Sequence, residues 1–223
     1  MAARLGVTLR MTDLAEIRTE ARRRRKAERP GEILEAAFTQ FARNGYATTT
    51  LDQIAECAGV TKGTIYVYFE NKEHLFISMV RELTKATFGT VQDMAEQHTG
   101  STADLLRESF RYIYQHIVED RRRREVARML IAEAPRFPAL VDRYREEVHG
   151  PCLALLDRVI QRGIDRGEIQ PSAITACPQV IIAPIAQVDL WIMMYDGRQP
   201  LDLKAYFDAH VELVLKGLFA APT

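Results

Sequence analysis

The 223-residue chain reads as an all-α protein of two domains, and three observations carry that reading. Apolar residues recur at helical spacing in segment after segment, while no stretch alternates apolar and polar residues as a half-buried strand does. Glycine (12) and proline (9) are too sparse for the turn density of a β-sandwich. Residues that start and stop helices stand where one apolar stripe gives way to the next.

Taken in order, Pro30 marks a predicted helix start, where its missing N–H costs nothing, and Ile33, Leu34, Ala37, Phe38 and Phe41 form the stripe behind it. Gly45 ends this helix in the position that favours a left-handed backbone. Thr50 and Gln53 are spaced as a capping box, which opens a short helix with Leu51, Ile54, Ala55 and Ala58 inward and Gly59 at its end. Thr61 caps a third helix reaching Phe69, whose inward pair is Ile65 and Phe69. Asn71 caps a long fourth helix carrying Leu75, Phe76, Met79, Val80, Leu83, Val91 and Met94, up to about His98. The turn between the second and third helices is short, which is the spacing of a helix-turn-helix.

Further helices are predicted over 101–119, with Leu105, Leu106, Phe110, Ile113 and Ile117 as its stripe, and over 121–134, closed by Pro135 and Pro138. Another runs over 140–166, bent at Gly150–Pro151 and ended by Gly167. Two more cover 177–195 and 202–218, with Pro200 between them. The expected division is a basic arm over 1–29, a small three-helix domain over 30–75 and a larger helical domain over 76–223.

The formal net charge is zero, but residues 1–30 hold nine Lys/Arg (Arg4, Arg10, Arg18, Arg22, Arg23, Arg24, Arg25, Lys26, Arg29) against four acids. The arm therefore carries a net +5 and the remainder −5. A basic arm on a near-neutral body points to a local polyanion contact, against the plainer reading of a solvated charge block. Residues 1–10 are too short and polar for a signal peptide, and Met11 is an alternative start. The most apolar stretch, 180–195, is interrupted by Pro184, Gln187 and Asp189 and is shorter than the ~20 residues of a spanning helix. The three cysteines, Cys57, Cys152 and Cys177, are too far apart for a disulfide framework or zinc knuckle. A cytoplasmic protein without a cofactor is expected.

The outward chemistry concentrates in 45–75, GYATTTLDQIAECAGVTKGTIYVYFENKEHL. Thr49 and Thr50 at the second helix start place hydroxyls beside backbone N–H groups, which suits a phosphate oxygen. The third helix opens Thr61-Lys62-Gly63-Thr64: a charge, a position without a Cβ that lets a helix approach closely, and a side chain able to meet a base edge or thymine methyl. With Ile65 and Phe69 inward, Tyr66 and Tyr68 lie partly or wholly outward, and Lys72 is placed to meet a nucleic-acid backbone.

The residues Gly45-Tyr46, Thr49-Thr50, Ile54-Ala55, Ala58-Gly59-Val60, Lys62-Gly63, Ile65-Tyr66, Tyr68-Phe69 and Lys72-Glu73 make this stretch resemble the DNA-binding domain of the TetR family of bacterial transcriptional regulators. The resemblance covers 33–76 without a gap. It implies a homodimer that binds a palindromic operator, as a repressor, and releases it when a small molecule enters the C-terminal domain. A local stretch, Ala132-Glu133-Ala134-Pro135-Arg136-Phe137-Pro138, resembles a subset of the family's ligand-binding domains.

In the larger domain, Phe76, Met79, Leu83, Phe110, Tyr114, Met129, Trp191 and Met194 are expected to line an effector cavity, since methionine and aromatic rings adapt to ligands. Singly, each also reads as core. Ile181, Ile185, Val188, Ile192, Tyr206, Val211, Val214 and Leu215 on the final two helices are expected to form a four-helix bundle across a twofold axis. The run Arg121–Arg124 is expected to be a solvated face, with an anionic-ligand site as the competing reading. Cys57 is expected to be small and buried. No His lies i, i+4 from another His or a Cys, so a metal site is not expected. No Gly-rich phosphate loop or nucleophile–His pairing supports an enzyme. The competing function is a helical ligand-binding or scaffold protein whose helix-turn-helix does not meet DNA.

Overall fold

A computed structural model describes residues 11–116, 120–195 and 198–219, with side chains from residue 28 onward. Every regular element among the described residues is helical. The chain divides into two compact units, one ending at Phe76 and one beginning at Ile77.

The first unit contains α1 (Met11–Asn44), α2 (Leu51–Cys57), α3 (Lys62–Tyr68) and the start of α4 (Lys72–Gln97). Pro30 lies inside α1, not at its start. An interior proline forfeits a backbone hydrogen bond, a loss of about 3 kcal/mol. Residues 21–28, all Ala, Arg, Lys or Glu, are among the strongest helix formers and carry the helix through that loss. Residues 1–10 of the expected arm lie outside the described residues, as do the side chains of Arg22–Lys26.

The caps form as the sequence predicts. Gly45 and Gly59 adopt φ of 81° and 63°, which alanine would resist, and both helices end there. Thr50 accepts from the Gln53 N–H while the Gln53 side chain accepts from the Thr50 N–H. Asn71 Oδ1 accepts from the His74 N–H at 2.7 Å. α1 packs on α2 and α2 on α3. Ile33, Phe41, Ile54, Ile65 and Leu75 are fully buried, and Phe41, Tyr46 and Phe76 form a ring cluster with centroids 5.3–5.5 Å apart.

The second unit holds the rest of α4 with α5 (Thr102–His116), α6 (Arg121–Glu133), α7 (Pro138–Tyr144), α8 (Gly150–Asp165), α9 (Gln179–Tyr195) and α10 (Leu203–Phe219). The far end of the predicted 101–119 helix, Ile117 included, falls on residues outside the description. Where a bend is expected at Gly150–Pro151, a π-helical turn, Arg145–His149, joins α7 to α8. A Cβ on Gly150 would stand 2.8 Å from the Arg145 carbonyl oxygen, so the wide turn tolerates only glycine. α5 packs on α8 and α10, and α6 on α9. The interior is built from Leu105, Leu106, Phe110, Val159, Ile160, Ile169, Ile181, Val211, Val214 and Leu218. No helix among the described residues is long and apolar enough to cross a membrane.

Candidate functional site

α3 owes its orientation to two inward anchors, Ile65 and Phe69, which seat its rear against the unit's core. That leaves Lys62, Gly63, Tyr66 and Val67 exposed on the opposite side, with Tyr68 half-buried. Lys62 is exposed, but its ammonium donates to Asp52 Oδ2 on α2 at 2.9 Å. That hydrogen bond and the carboxylate charge raise the Lys62 pKa, so the cation is permanent and partly neutralised.

The threonines divide into cappers and core. Thr61 Oγ1 accepts from the Thr64 N–H at 3.1 Å and lies 2.9 Å from Thr64 Oγ1, which half-buries Thr64. Thr50 is exposed, and both its N–H and its hydroxyl already serve the capping box. Thr49 corrects the sequence reading: it is 1% exposed, and its single hydroxyl proton points to the Gly45 carbonyl at 2.7 Å, with the Gln40 carbonyl also in reach at 3.1 Å. Its side chain closes the end of α1 and does not face a phosphate.

Lys72 is the second correction. Its ammonium donates to the carbonyls of Tyr46, Ala47 and Thr49 at 2.9, 3.2 and 3.1 Å and sits 4.5 Å from the Tyr46 ring centroid. Three carbonyls saturate the three ammonium protons. Lys72 therefore clamps the α1–α2 loop onto the first turn of α4, where sequence spacing alone had placed it against nucleic acid. Cys57, expected to be buried, is exposed at the end of α2.

In the second unit the two expected residue sets merge. Phe110 and Tyr114, expected in a cavity, share the interior with Ile181, Val188, Val211 and Val214, expected in a dimer interface. Ile185, Ile192, Tyr206 and Leu215 are half-buried and pack against that same interior. Of the eight expected interface residues, Ile181, Val188, Val211 and Val214 are buried within the single chain, while Ile185, Ile192, Tyr206 and Leu215 keep part of their surface outside it. The outward apolar residues of α9 and α10 are instead Val180, Leu190, Met194 and Leu213. Apart from Gln179, Gln187 and Asp189, α9 is apolar around its circumference, so its sequence does not reveal which stripe is covered.

Of the remaining expected cavity residues, Phe76 belongs to the first unit's ring cluster and Met194 is exposed, so neither lines an interior of the second unit. Met79 and Met129 are buried and Leu83 is half-buried. Trp191 is half-buried, its indole N–H donating to the Gln199 carbonyl at 2.8 Å.

Sequence reasoning missed two polar groups in this interior. His210 Nε2 donates to the Ile181 carbonyl at 2.8 Å, which leaves Nδ1 to accept from the Tyr114 hydroxyl at 2.9 Å. Burial holds the His210 pKa below its ordinary value, so the ring is neutral in this tautomer. Burial likewise pushes the Tyr114 phenol up. The second group is Asp189, buried on α9 and paired with Arg123 of α6 at 2.5 Å. Burial raises the Asp189 pKa, and the Arg123 charge opposes that rise. Of the run Arg121–Arg124, expected as a solvated face, Arg121 is exposed but Arg122, Arg123 and Arg124 are half-buried, and Asp120 caps α6 by accepting from the Arg122 and Arg123 N–H groups. Among the described residues no cluster of His, Cys, Asp and Glu could hold a metal ion.

Residues 33–79 match the family model for bacterial regulatory proteins of the tetR family, and residues 96–214 match that for a tetracyclin repressor-like C-terminal domain. Over 197 residues the chain is 28% identical to a fatty acid metabolism regulator protein of Bacillus subtilis strain 168, covering 86% of this chain and 98% of that one. It is 25% identical over 197 residues to the HTH-type transcriptional regulator AcrR of Shigella flexneri, covering 86% and 89%. Among solved structures it is similar to the transcriptional regulator FadR of Bacillus subtilis in complex with stearoyl-CoA, with a TM-score of 0.69, 26% identity and coverage of 84% and 98%. It shares the fold of SmeT, the repressor of the Stenotrophomonas maltophilia multidrug efflux pump SmeDEF, at a TM-score of 0.65, 22% identity and coverage of 85% and 89%.

Proposed function

Because the chain belongs to the tetR family of bacterial regulatory proteins, DNA-binding regulators that respond to ligands, we propose that it acts as a repressor. Two copies hold a palindromic operator through α3 and release it when a small, mostly hydrophobic molecule enters the second unit. The observation that carries the DNA half is the exposed face of α3, with Lys62, Gly63, Tyr66 and Val67 side by side on a helix whose rear is locked. Thr50, Thr61 and Tyr68 flank that face.

One seven-residue helix reads only a few base pairs, so a second copy is required for a useful site. The outer stripe of α9, Val180, Leu190 and Met194, together with Leu213 of α10, supplies an apolar surface for that copy. The interior behind it, around Phe110 and Tyr114, is apolar but holds the Tyr114–His210 bond, and the Arg123–Asp189 pair joins α6 to α9. Similarity to a fatty acid regulator, and to a structure that holds stearoyl-CoA, supports a fatty-acyl chain as the effector class.

The route between the two activities is α4. Lys72 at its start grips the α1–α2 loop. Near its far end, Arg162 of α8 donates to the Ala95 and His98 carbonyls. A ligand pressing on Leu83 or Phe110 tilts α4 and changes the separation of the two α3 helices. A coupling of about 1–3 kcal/mol is the usual size of such an effect. The test is a duplex enriched by the protein from a random-sequence library, followed by titration of stearoyl-CoA into the complex. Binding that falls steeply with salt and is relieved by the acyl-CoA is expected. Enrichment of no sequence would refute the DNA reading, and acyl-CoA without effect would refute the effector class.

A further inference from the structure

In the first unit the exposed large apolar side chains among the described residues are neighbours on α3: Tyr66 at 51% and Val67 at 71%. Gly63 lies on the same face, one turn earlier. Gly63 stands in the first turn of α3, where alanine would also extend the helix more readily than glycine does, so its presence calls for a reason. The fold supplies none. An added Cβ at Gly63 would meet only Thr61 Oγ1 at 3.7 Å, an ordinary contact, and the backbone there is not left-handed. The space kept open at Gly63 therefore serves something outside the chain.

We propose that Val67 reads a thymine methyl group in the operator, with Gly63 omitting a Cβ so that α3 comes close enough for the contact. This rests on α3 being the DNA-reading helix. Gly63 and Val67 are four residues apart, about 6 Å along the axis, a separation that spans roughly two base steps. The thymine C5-methyl is the apolar feature of the major-groove edge, and an isopropyl group is its natural complement. Thr64, which spacing alone suggests for this role, is half-buried, with its hydroxyl turned to Thr61, so it presents less apolar surface than Val67. Val67 instead stands free of the core, one turn after Gly63 on the same exposed face of α3.

The experiment uses the full chain and a duplex that it enriches from a random library. Each thymine is replaced singly by uracil, which removes the methyl and nothing else. For the wild type, one symmetry-related pair of positions is expected to lose affinity, roughly fourfold per half-site, the worth of one buried methyl group. Val67→Ala is expected to bind the thymine duplex as weakly as the wild type binds the uracil duplex, and to ignore the substitution. Gly63→Ala is expected to unfold at the same or a higher temperature and to bind at least about tenfold more weakly, because the added methyl meets the groove wall. Uracil insensitivity at every position, a sensitivity that survives in Val67→Ala, or full affinity in Gly63→Ala overturns the proposal while leaving operator binding intact. A wild type that enriches no duplex overturns the DNA reading itself.

Discussion

Replacing Lys72 by methionine keeps most of the stem and removes the ammonium. Three charge-assisted hydrogen bonds at 2.9–3.2 Å and a cation–π contact at 4.5 Å disappear together. The carbonyls of Tyr46, Ala47 and Thr49 are only partly buried, so water recovers much of what they lose. At about 1 kcal/mol per bond after rehydration, the loss is about 2–3 kcal/mol. For a chain of this size each kcal/mol lowers the unfolding midpoint by roughly 2–4 °C, so a drop of about 5–10 °C is expected. The assay is thermal unfolding followed by far-ultraviolet circular dichroism. It is paired with operator affinity, measured well below the new midpoint, across a range of salt. A phosphate contact would behave in the opposite way: the midpoint would hold, and the salt slope would fall by about one unit. An unchanged midpoint with a reduced slope would refute the clamp.

Asp52→Asn frees Lys62 from its ion pair and removes a negative charge from the α3 side of the unit, so operator affinity should rise and its salt dependence steepen, as read by fluorescence anisotropy. The folded His210 pKa lies below the ordinary 6.5, so the unfolded chain binds the extra proton. His210 therefore favours the fold fully above pH 6.5 and less as pH falls below it, and His210→Gln should flatten this acid-side loss in urea midpoints. Arg123→Met leaves the Asp189 carboxylate buried without its cation, which raises its folded pKa further; a loss of about 3 kcal/mol at pH 8 is expected, shrinking on acidification as the carboxyl protonates. Leu213→Glu places a charge on the proposed dimer face, so light scattering should show the mass falling from near twice 25.4 kDa to the single-chain value while helicity is retained.

Local order was legible in the sequence because it is written in short-range chemistry. A threonine three residues before a glutamine, a glycine after an apolar stripe and an asparagine before a long one each satisfy backbone groups within a single turn, and every one of these caps forms. The rear and front of α3 were legible for the same reason: a seven-residue helix anchored by Ile65 within it and by Phe69 at its C-cap has little freedom about what the other side shows. Contacts between residues far apart in the chain were not legible. Nothing near Lys72 in sequence announces that its ammonium will find carbonyls more than twenty residues earlier. Thr49 looks like Thr50 until packing buries one and exposes the other. The inward stripe of α9 was decided only when α5, α6 and α10 closed around it, because a helix with apolar residues around most of its circumference can bury any of several faces. That same closure matched Asp189 with Arg123 and Tyr114 with His210, since a buried polar group must find its partner wherever the tertiary fold brings one within reach.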